Sequence, residues 1–172
     1  MGKAMKTEKG RRAIGAVKIT VIVVCLATVI ISATFFAVRS ILKAEFPMKY
    51  QDKISLYAET YGVPEDLLYG VIHTESGYDE KAKSHAGAIG LTQITPETFL
   101  WLQTKTGENL PEEALYDADT SVKYCAVFYG LLLKEFGGDE KTAIAAYHAG
   151  RGQVNAWLRD PDISPDGKTL VN

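Results

Sequence analysis

The chain has 172 residues, of which 47% are hydrophobic and 23% charged, with 6 prolines and 15 glycines. This composition excludes a wholly disordered protein, a collagen-like repeat and a disulfide-rich mini-protein. The net charge of −2 conceals an asymmetry, because residues 1–18 carry +5 and the remaining residues carry −7. An acidic globular part argues against nucleic acid as a partner. Of the two cysteines, Cys25 lies in an apolar segment and Cys125 is alone downstream, so we expect no disulfide inside the folded domain.

An apolar segment at residues 19–38 follows the basic cluster and contains no charged residue. A helix of this length spans about 30 Å, which is the hydrocarbon thickness of a bilayer. The segment therefore predicts a transmembrane anchor. A cleaved signal peptide is the competing interpretation, although its apolar core is usually shorter. Since positive charges favour the cytoplasmic side, we expect residues 1–18 to form a cytoplasmic tail, and everything after Arg39 to lie on the extracytoplasmic face of the cell membrane.

The remainder of the chain is predicted to be mainly α, with a connector at residues 39–48 followed by one domain at residues 49–172. Apolar residues recur at helical spacing almost throughout. Residues 77–94 contain three glycines and no helical stripe, which indicates a structured loop or a small hairpin. Capping residues and glycines set the expected helix limits near residues 50–61, 64–76, 95–106, 119–136, 139–147 and 153–158.

One predicted helix carries a carboxylate on its apolar face. Glu75 follows Leu68, Val71 and Ile72 by seven, four and three residues, so it points into the core or into a cleft lined by the core. Burial would raise the pKa of this carboxyl and let it act as a general acid near neutral pH. On periodicity alone, the simpler interpretation is favoured, in which Glu75 ends the helix and reaches solvent.

Three sequence blocks favour the interpretation of Glu75 as a functional acid over the solvent-exposed one. They read Glu75-Ser76-Gly77-Tyr78, then Gly-Leu-Thr-Gln-Ile at residues 90–94, then Ala-Tyr-His-Ala-Gly at residues 146–150. Together they resemble the soluble lytic transglycosylase family, the lysozyme-like enzymes that cleave peptidoglycan. The resemblance covers about residues 50–158. It implies a lysozyme-like α fold with Glu75 as the single catalytic acid and base.

The resemblance also implies roles for other side chains. Gln93 would bind the amide groups of the sugar, and Tyr147 would position the glutamate. Apart from the resemblance, the residue itself leaves two roles open for Ser76: it orients the carboxylate or an acetamido group, or it merely ends the helix. His148 stands where the family has Asn, so we expect a hydrogen-bonding role whose partner the sequence does not identify.

Further departures from the family pattern concern residues expected near the core. Thr92 replaces the usual Met, and Ser121 and Cys125 occupy positions where the family often has Asn and Gly. The chain also stops at Asn172, short of the C-terminal segment that such domains commonly carry. A truncated piece and an abbreviated family member are both consistent with this.

A single acid would have to serve the whole reaction. Asp79 and Glu80 are expected to be solvated, and Asp117 and Asp119 to cap the long helix. The resemblance supplies a one-acid route, in which Glu75 protonates the glycosidic oxygen between MurNAc and GlcNAc and the 2-acetamido group stabilises the positive sugar carbon. Glu75 then takes the proton of the 6-hydroxyl, which closes a 1,6-anhydro ring.

The expected function is therefore a membrane-anchored peptidoglycan lytic transglycosylase with glycan strands as its partner. No cofactor is expected, and no metal, because His73 and His85 lack a second ligand at suitable spacing. Two alternatives stay open at this point: a hydrolytic muramidase on the same fold, and a non-catalytic scaffold that binds the cell wall. Protein partners and the oligomeric state cannot be inferred from the sequence.

Overall fold

The computed structural model describes residues 22–42 and 48–170, which belong to two compact units, residues 1–47 and 48–172. The first unit contains helix α1 (Ile22–Leu42), which is long and apolar enough to cross a membrane. A signal sequence passes the same test of length and composition, so α1 does not decide between an anchor and a cleaved signal. The helix includes residues 39–42, which the sequence placed in the connector. The predicted tail at residues 1–18, residues 19–21 of the apolar segment and residues 43–47 of the connector lie outside the described residues.

The second unit is mainly α, as predicted. Its described part consists of six α-helices and one 3-10 helix: α2 (Gln51–Tyr61), α3 (Glu65–Ser76), α4 (Pro96–Thr106), the 3-10 helix Glu112–Tyr116, α5 (Ala118–Glu135), α6 (Glu140–Ala149) and α7 (Arg151–Trp157). Between α3 and α4 the described chain forms a loop with two isolated antiparallel bridges, Lys83 to Ile89 and Ile89 to Ile94.

Short polar side chains set the starts of three helices. Thr95, Asp117 and Asp139 each accept a hydrogen bond from the backbone N–H three residues later, which satisfies a donor that the helix itself leaves unpaired. The prediction that Asp119 also caps α5 is wrong. Its carboxylate accepts a hydrogen bond from the Tyr57 hydroxyl (2.7 Å) and pairs with the Lys53 ammonium (3.0 Å), so it links α5 to α2.

Helix α5 is the centre of the domain. Ten of its side chains are buried, and it packs against α2, α3, α4, α6 and the 3-10 helix. A helix that is apolar almost all round has to lie inside a domain, because no single face can be left to solvent. Since α3 and α6 both rest on α5, this helix sets the distance between the side chains at their C-terminal ends.

The loop between α3 and α4 is packed against the helices, because Ile89, Leu91 and Ile94 are buried. Gly90 has a positive φ of 75°, and a Cβ atom there would overlap the carbonyl oxygen of Leu115. Only glycine meets both conditions without strain. Through this close approach, the loop of residues 90–94 packs against the 3-10 helix and has a defined position.

Candidate active site

Glu75 lies in the last turn of α3 at the edge of the core. Its side chain is 19% exposed, and its Oε1 atom lies 3.0 Å from Nδ1 of His148 in the last turn of α6. Burial raises the pKa of the Glu75 carboxyl above its ordinary value, and the His148 imidazole opposes this shift through its charge. The carboxyl is therefore sheltered and carries one specific partner, unlike a helix-terminal glutamate in bulk solvent.

His148 receives a partner that the sequence did not identify. Its side chain is 45% exposed, and its ring meets Tyr147 edge-on with centroids 5.8 Å apart. The position near the C-terminus of α6 also suits a cationic side chain, because the helix dipole is negative there. His148 thus contacts the carboxyl of Glu75 on one side and remains open to solvent on the other.

Tyr147 does not hydrogen-bond to Glu75. Its hydroxyl donates to the carbonyl oxygen of Thr92 (2.7 Å) and also interacts with the thiol of Cys125. Its ring stacks on Tyr129 with centroids 4.6 Å apart and an interplanar angle of 7°. Burial raises the pKa of Tyr147 well above its ordinary value. Tyr147 therefore holds the loop residue next to Gln93 rather than the carboxyl itself.

Ser76 joins the end of α3 to the same loop. Its hydroxyl lies 2.8 Å from the carbonyl oxygen of Leu91 and 3.2 Å from that of Ile72, and its one proton serves these two acceptors. Ser76 and Tyr147 thus bind two successive carbonyl groups of the loop, from α3 and from α6. The two contacts place the loop relative to Glu75.

Gln93 is bound into its own loop. Its Nε2 atom donates to the carbonyl oxygens of Gly90 (2.9 Å) and Ala82 (3.3 Å), and its backbone has a φ of 50°. A left-handed backbone is uncommon for a residue other than glycine, and the side-chain hydrogen bonds help to maintain it. The amide nitrogen is therefore engaged, which leaves the oxygen Oε1 for a ligand.

The other departures from the family pattern lie together beneath the loop. The Thr92 hydroxyl is 3.0 Å from the Ser121 hydroxyl and 3.3 Å from the Ser121 carbonyl oxygen, and both side chains are fully buried. Cys125 follows Ser121 by four residues on α5 and is also fully buried. Burial raises the pKa of its thiol to about 12, so it stays protonated and packs as a small side chain.

Two grooves bring together residues of several helices, and one of them borders His148. One, of about 340 Å³, runs between α3 and α6 and is lined by Val71, Thr74, Ile144 and His148 among others. The second, of about 350 Å³, is lined by residues of α4, α5 and the start of α7, including Trp101, Phe128 and Arg151. In the described part of the chain, no group of three His, Cys, Asp or Glu residues could hold a metal ion.

Sequence reasoning missed Tyr129. Its ring supports Tyr147, and its buried hydroxyl has no hydrogen-bond partner among the described residues. An aromatic residue in the apolar stripe of a buried helix looks like any core residue, so the pattern offered no signal. Only the stacking on Tyr147 reveals its place below the site.

Comparison with known proteins gives consistent results. The profile of the family described as "Transglycosylase SLT domain" matches residues 52–168. The soluble lytic murein transglycosylase of Escherichia coli K12 is 30% identical over 120 residues, which cover 68% of this chain and 18% of that protein. Membrane-bound lytic murein transglycosylase C of Haemophilus influenzae is 30% identical over 127 residues, or 67% of this chain and 36% of that protein.

A solved structure shows the same fold. It is an inactive glutamate-to-glutamine mutant of a lytic transglycosylase from Pseudomonas aeruginosa, with a TM-score of 0.66 and 29% identity over 69% of this chain and 20% of that chain. This chain thus spans between about a fifth and about a third of the length of the relatives it matches. The mainly α class predicted from helical periodicity and the lysozyme-like fold implied by the three blocks are both confirmed.

Proposed function

Because the chain belongs to the transglycosylase SLT domain family, we propose that it is a peptidoglycan lytic transglycosylase, which cleaves the β-1,4 bond between MurNAc and GlcNAc and forms 1,6-anhydroMurNAc. The observation that carries the proposal is the sheltered Glu75 carboxyl at the end of α3, beside His148 and the loop of residues 90–94. Relatives named lytic murein transglycosylases support the substrate class.

Glu75 acts in turn as acid and base. Its protonated form donates the proton to the glycosidic oxygen as the C1–O bond breaks, and the 2-acetamido group of MurNAc stabilises the positive C1. The Glu75 carboxylate then accepts the proton of the 6-hydroxyl while O6 bonds to C1, so no water is consumed. Partial burial, which raises the pKa of Glu75, favours the acid form that the first step needs.

Three acids that the sequence offered as alternatives have separate roles, which supports a one-carboxylate mechanism. Asp79 accepts a hydrogen bond from the Lys81 N–H, Glu80 accepts one from the Tyr50 hydroxyl, and Asp117 caps α5. A glycosidase that uses water or an enzymatic nucleophile needs a second carboxyl group opposite the first. This need weighs against the hydrolytic muramidase.

We assign substrate-binding roles to the loop and to α6. Gln93 binds an N-acetyl N–H through Oε1, since its Nε2 is engaged with loop carbonyl groups. Ser76 and Tyr147 contribute by holding the carbonyl groups of Leu91 and Thr92, which keeps the sugar-binding loop at a constant distance from Glu75. His148 borders both the carboxyl and the groove between α3 and α6.

We also propose that α1 anchors the protein in the cell membrane, with residues 1–18 in the cytoplasm and the domain at residues 49–172 on the extracytoplasmic face. The apolar helix and the membrane-bound relative support this arrangement. The basic residues before the helix support the orientation. Proteinase treatment of intact spheroplasts tests it, because full protection of the domain would contradict an outward-facing enzyme.

Digestion of purified sacculi by the full-length protein tests the activity. Mass spectrometry of the released muropeptides should show 1,6-anhydroMurNAc ends, which are lighter than reducing ends by the mass of one water. Reducing ends would instead identify a muramidase. A protein that binds sacculi and releases nothing, with no cleared band on a sacculus zymogram, would be the scaffold.

A further inference from the structure

The contact between Glu75 and His148 brings an ionisable ring to the carboxyl that we propose as the acid. Nδ1 of His148 lies 3.0 Å from Oε1 of Glu75, and the two residues are on different helices that both rest on α5. The matching position of the family motif is typically Asn. An amide and an imidazole can both donate a hydrogen bond, but only the imidazole can gain a positive charge near neutral pH.

We propose that His148 is a positioning residue that holds Oε1 of Glu75 through the reaction and, by its charge, sets the upper pH limit of turnover. The proposal rests on the acid and base role of Glu75 described above. It deepens that role, because it names the group that orients the carboxyl and whose charge acts on its proton.

The geometry explains the positioning. With a hydrogen on Nδ1, the His148 ring donates to Oε1 whether Glu75 is a carboxylic acid or a carboxylate. Oε1 is therefore occupied in both states, and Oε2, for which the described part of the chain shows no partner, is the oxygen that gives and takes the proton. The carboxyl need not rotate between the two steps, which keeps it aligned with the bond that breaks and the bond that forms.

The surroundings explain the charge effect. Burial raises the pKa of Glu75, and the charge of His148 lowers it. The other ionisable groups that face Glu75 are Tyr129 and Cys125 on α5 and Tyr147 on α6, and burial raises the pKa of each, so all three are neutral where Glu75 titrates. The groove that His148 borders also contains carboxylates on α3 and α6, those of Asp66 and Glu140.

The sign of the effect follows from these facts. A protonated His148 stabilises the Glu75 carboxylate, so the acid form of Glu75 is lost at a lower pH than burial alone would dictate. Replacing His148 by Asn keeps a donor and removes the charge. The acid form should then persist to a higher pH. Replacing His148 by Ala removes both the donor and the charge, so it should also impair the positioning.

The test is the pH profile of kcat/KM for the full-length protein on sacculi. The two proteins are compared one pH unit above the midpoint of the wild-type alkaline limb, where the wild type retains about a tenth of its maximal kcat/KM. At that pH, the fraction of kcat/KM that H148N retains should be about threefold larger. At the pH optimum, kcat should fall about tenfold in H148A and about twofold or less in H148N. H85N, which changes an exposed histidine of the loop, should leave the profile unchanged. The proposal would be overturned if the alkaline limb of the pH profile did not shift in H148N, or if kcat did not fall in H148A.

A second measurement does not depend on turnover. The side-chain carboxyl of Glu75 is followed by ¹³C NMR and assigned from its absence in E75Q. Its titration midpoint should lie at a higher pH in H148N than in the wild type, and identical midpoints would overturn the charge coupling. Should sacculi yield no anhydro products at any pH, the proposed function fails, while this titration still decides whether His148 controls Glu75. Circular dichroism of H148N confirms that the compared proteins are folded.

Discussion

The hydroxyl oxygens of Thr92 and Ser121 lie 3.0 Å apart in the core, beneath the loop that carries Gln93. These two residues depart from the family pattern at positions far apart in sequence, and the structure brings them into contact. Each hydroxyl gives the other a partner in a place that water does not reach. A buried hydroxyl that lacks a partner is costly, so the two departures compensate each other.

This pairing predicts a coupling between the two residues. T92V should lower the free energy of unfolding by about 1–3 kcal/mol, because it leaves the Ser121 hydroxyl buried without this partner. S121A should cost less, because the Thr92 hydroxyl keeps its 3.3 Å contact with the Ser121 carbonyl oxygen. The double variant should be less destabilised than the sum of the two single variants. Urea unfolding of the four proteins measures the coupling energy, and additive effects would show that the hydroxyls do not interact.

Loss of the proposed acid should abolish activity without loss of the fold. E75Q cannot deliver a proton, so the rate of anhydro-muropeptide release should fall by at least about 100-fold. E65Q is the matched control, since Glu65 is an exposed glutamate in the first turn of the same helix. It should retain full activity. An E75Q protein with a tenth of the wild-type rate would remove Glu75 from the acid role.

The same substitution should affect stability in a pH-dependent way. Burial raises the folded-state pKa of Glu75, so the folded protein binds this proton more tightly than the unfolded chain does. The resulting stabilisation is present at pH values below the unfolded pKa and is lost as pH rises through the folded pKa. E75Q should therefore raise the melting temperature at pH 8, by about 2 °C for a partly solvated group. At pH 4 it should not. A gain of equal size at both pH values would contradict a raised pKa.

Two glycines of the loop should respond differently to alanine. G87A introduces a side chain at positive φ, where nothing lies within 4 Å, and should cost about 1 kcal/mol. G90A carries the same penalty, and its Cβ also overlaps the Leu115 carbonyl oxygen, so it should cost at least about 3 kcal/mol and lower kcat by displacing residues 90–94. Thermal unfolding and muropeptide release measure the two effects. Equal destabilisation would mean that the loop does not press on the 3-10 helix as described.

Much of the local structure followed from the sequence. Two of the expected helix starts coincide with Thr95 and Asp139, because a short polar side chain before an apolar periodic run satisfies the first free N–H groups. The same argument failed for Asp119, because a lysine and a tyrosine of α2 satisfy its carboxylate across the helix interface. Residue type indicates what an acid can bind, but not which donor is nearest.

The sequence by itself determined the helices, the loop of residues 77–94 and the placement of Glu75 on an apolar face, because helical periodicity and capping depend on neighbours within a few residues. Only the tertiary structure decided that His148 pairs with Glu75, that Tyr147 bonds to Thr92 instead of the carboxyl, and that Ser121 lies under the loop. Those contacts join residues 29 to 73 positions apart. Periodicity states which face of a helix a side chain occupies, whereas the packing of α3, α6 and the loop around α5 decides which side chain it meets.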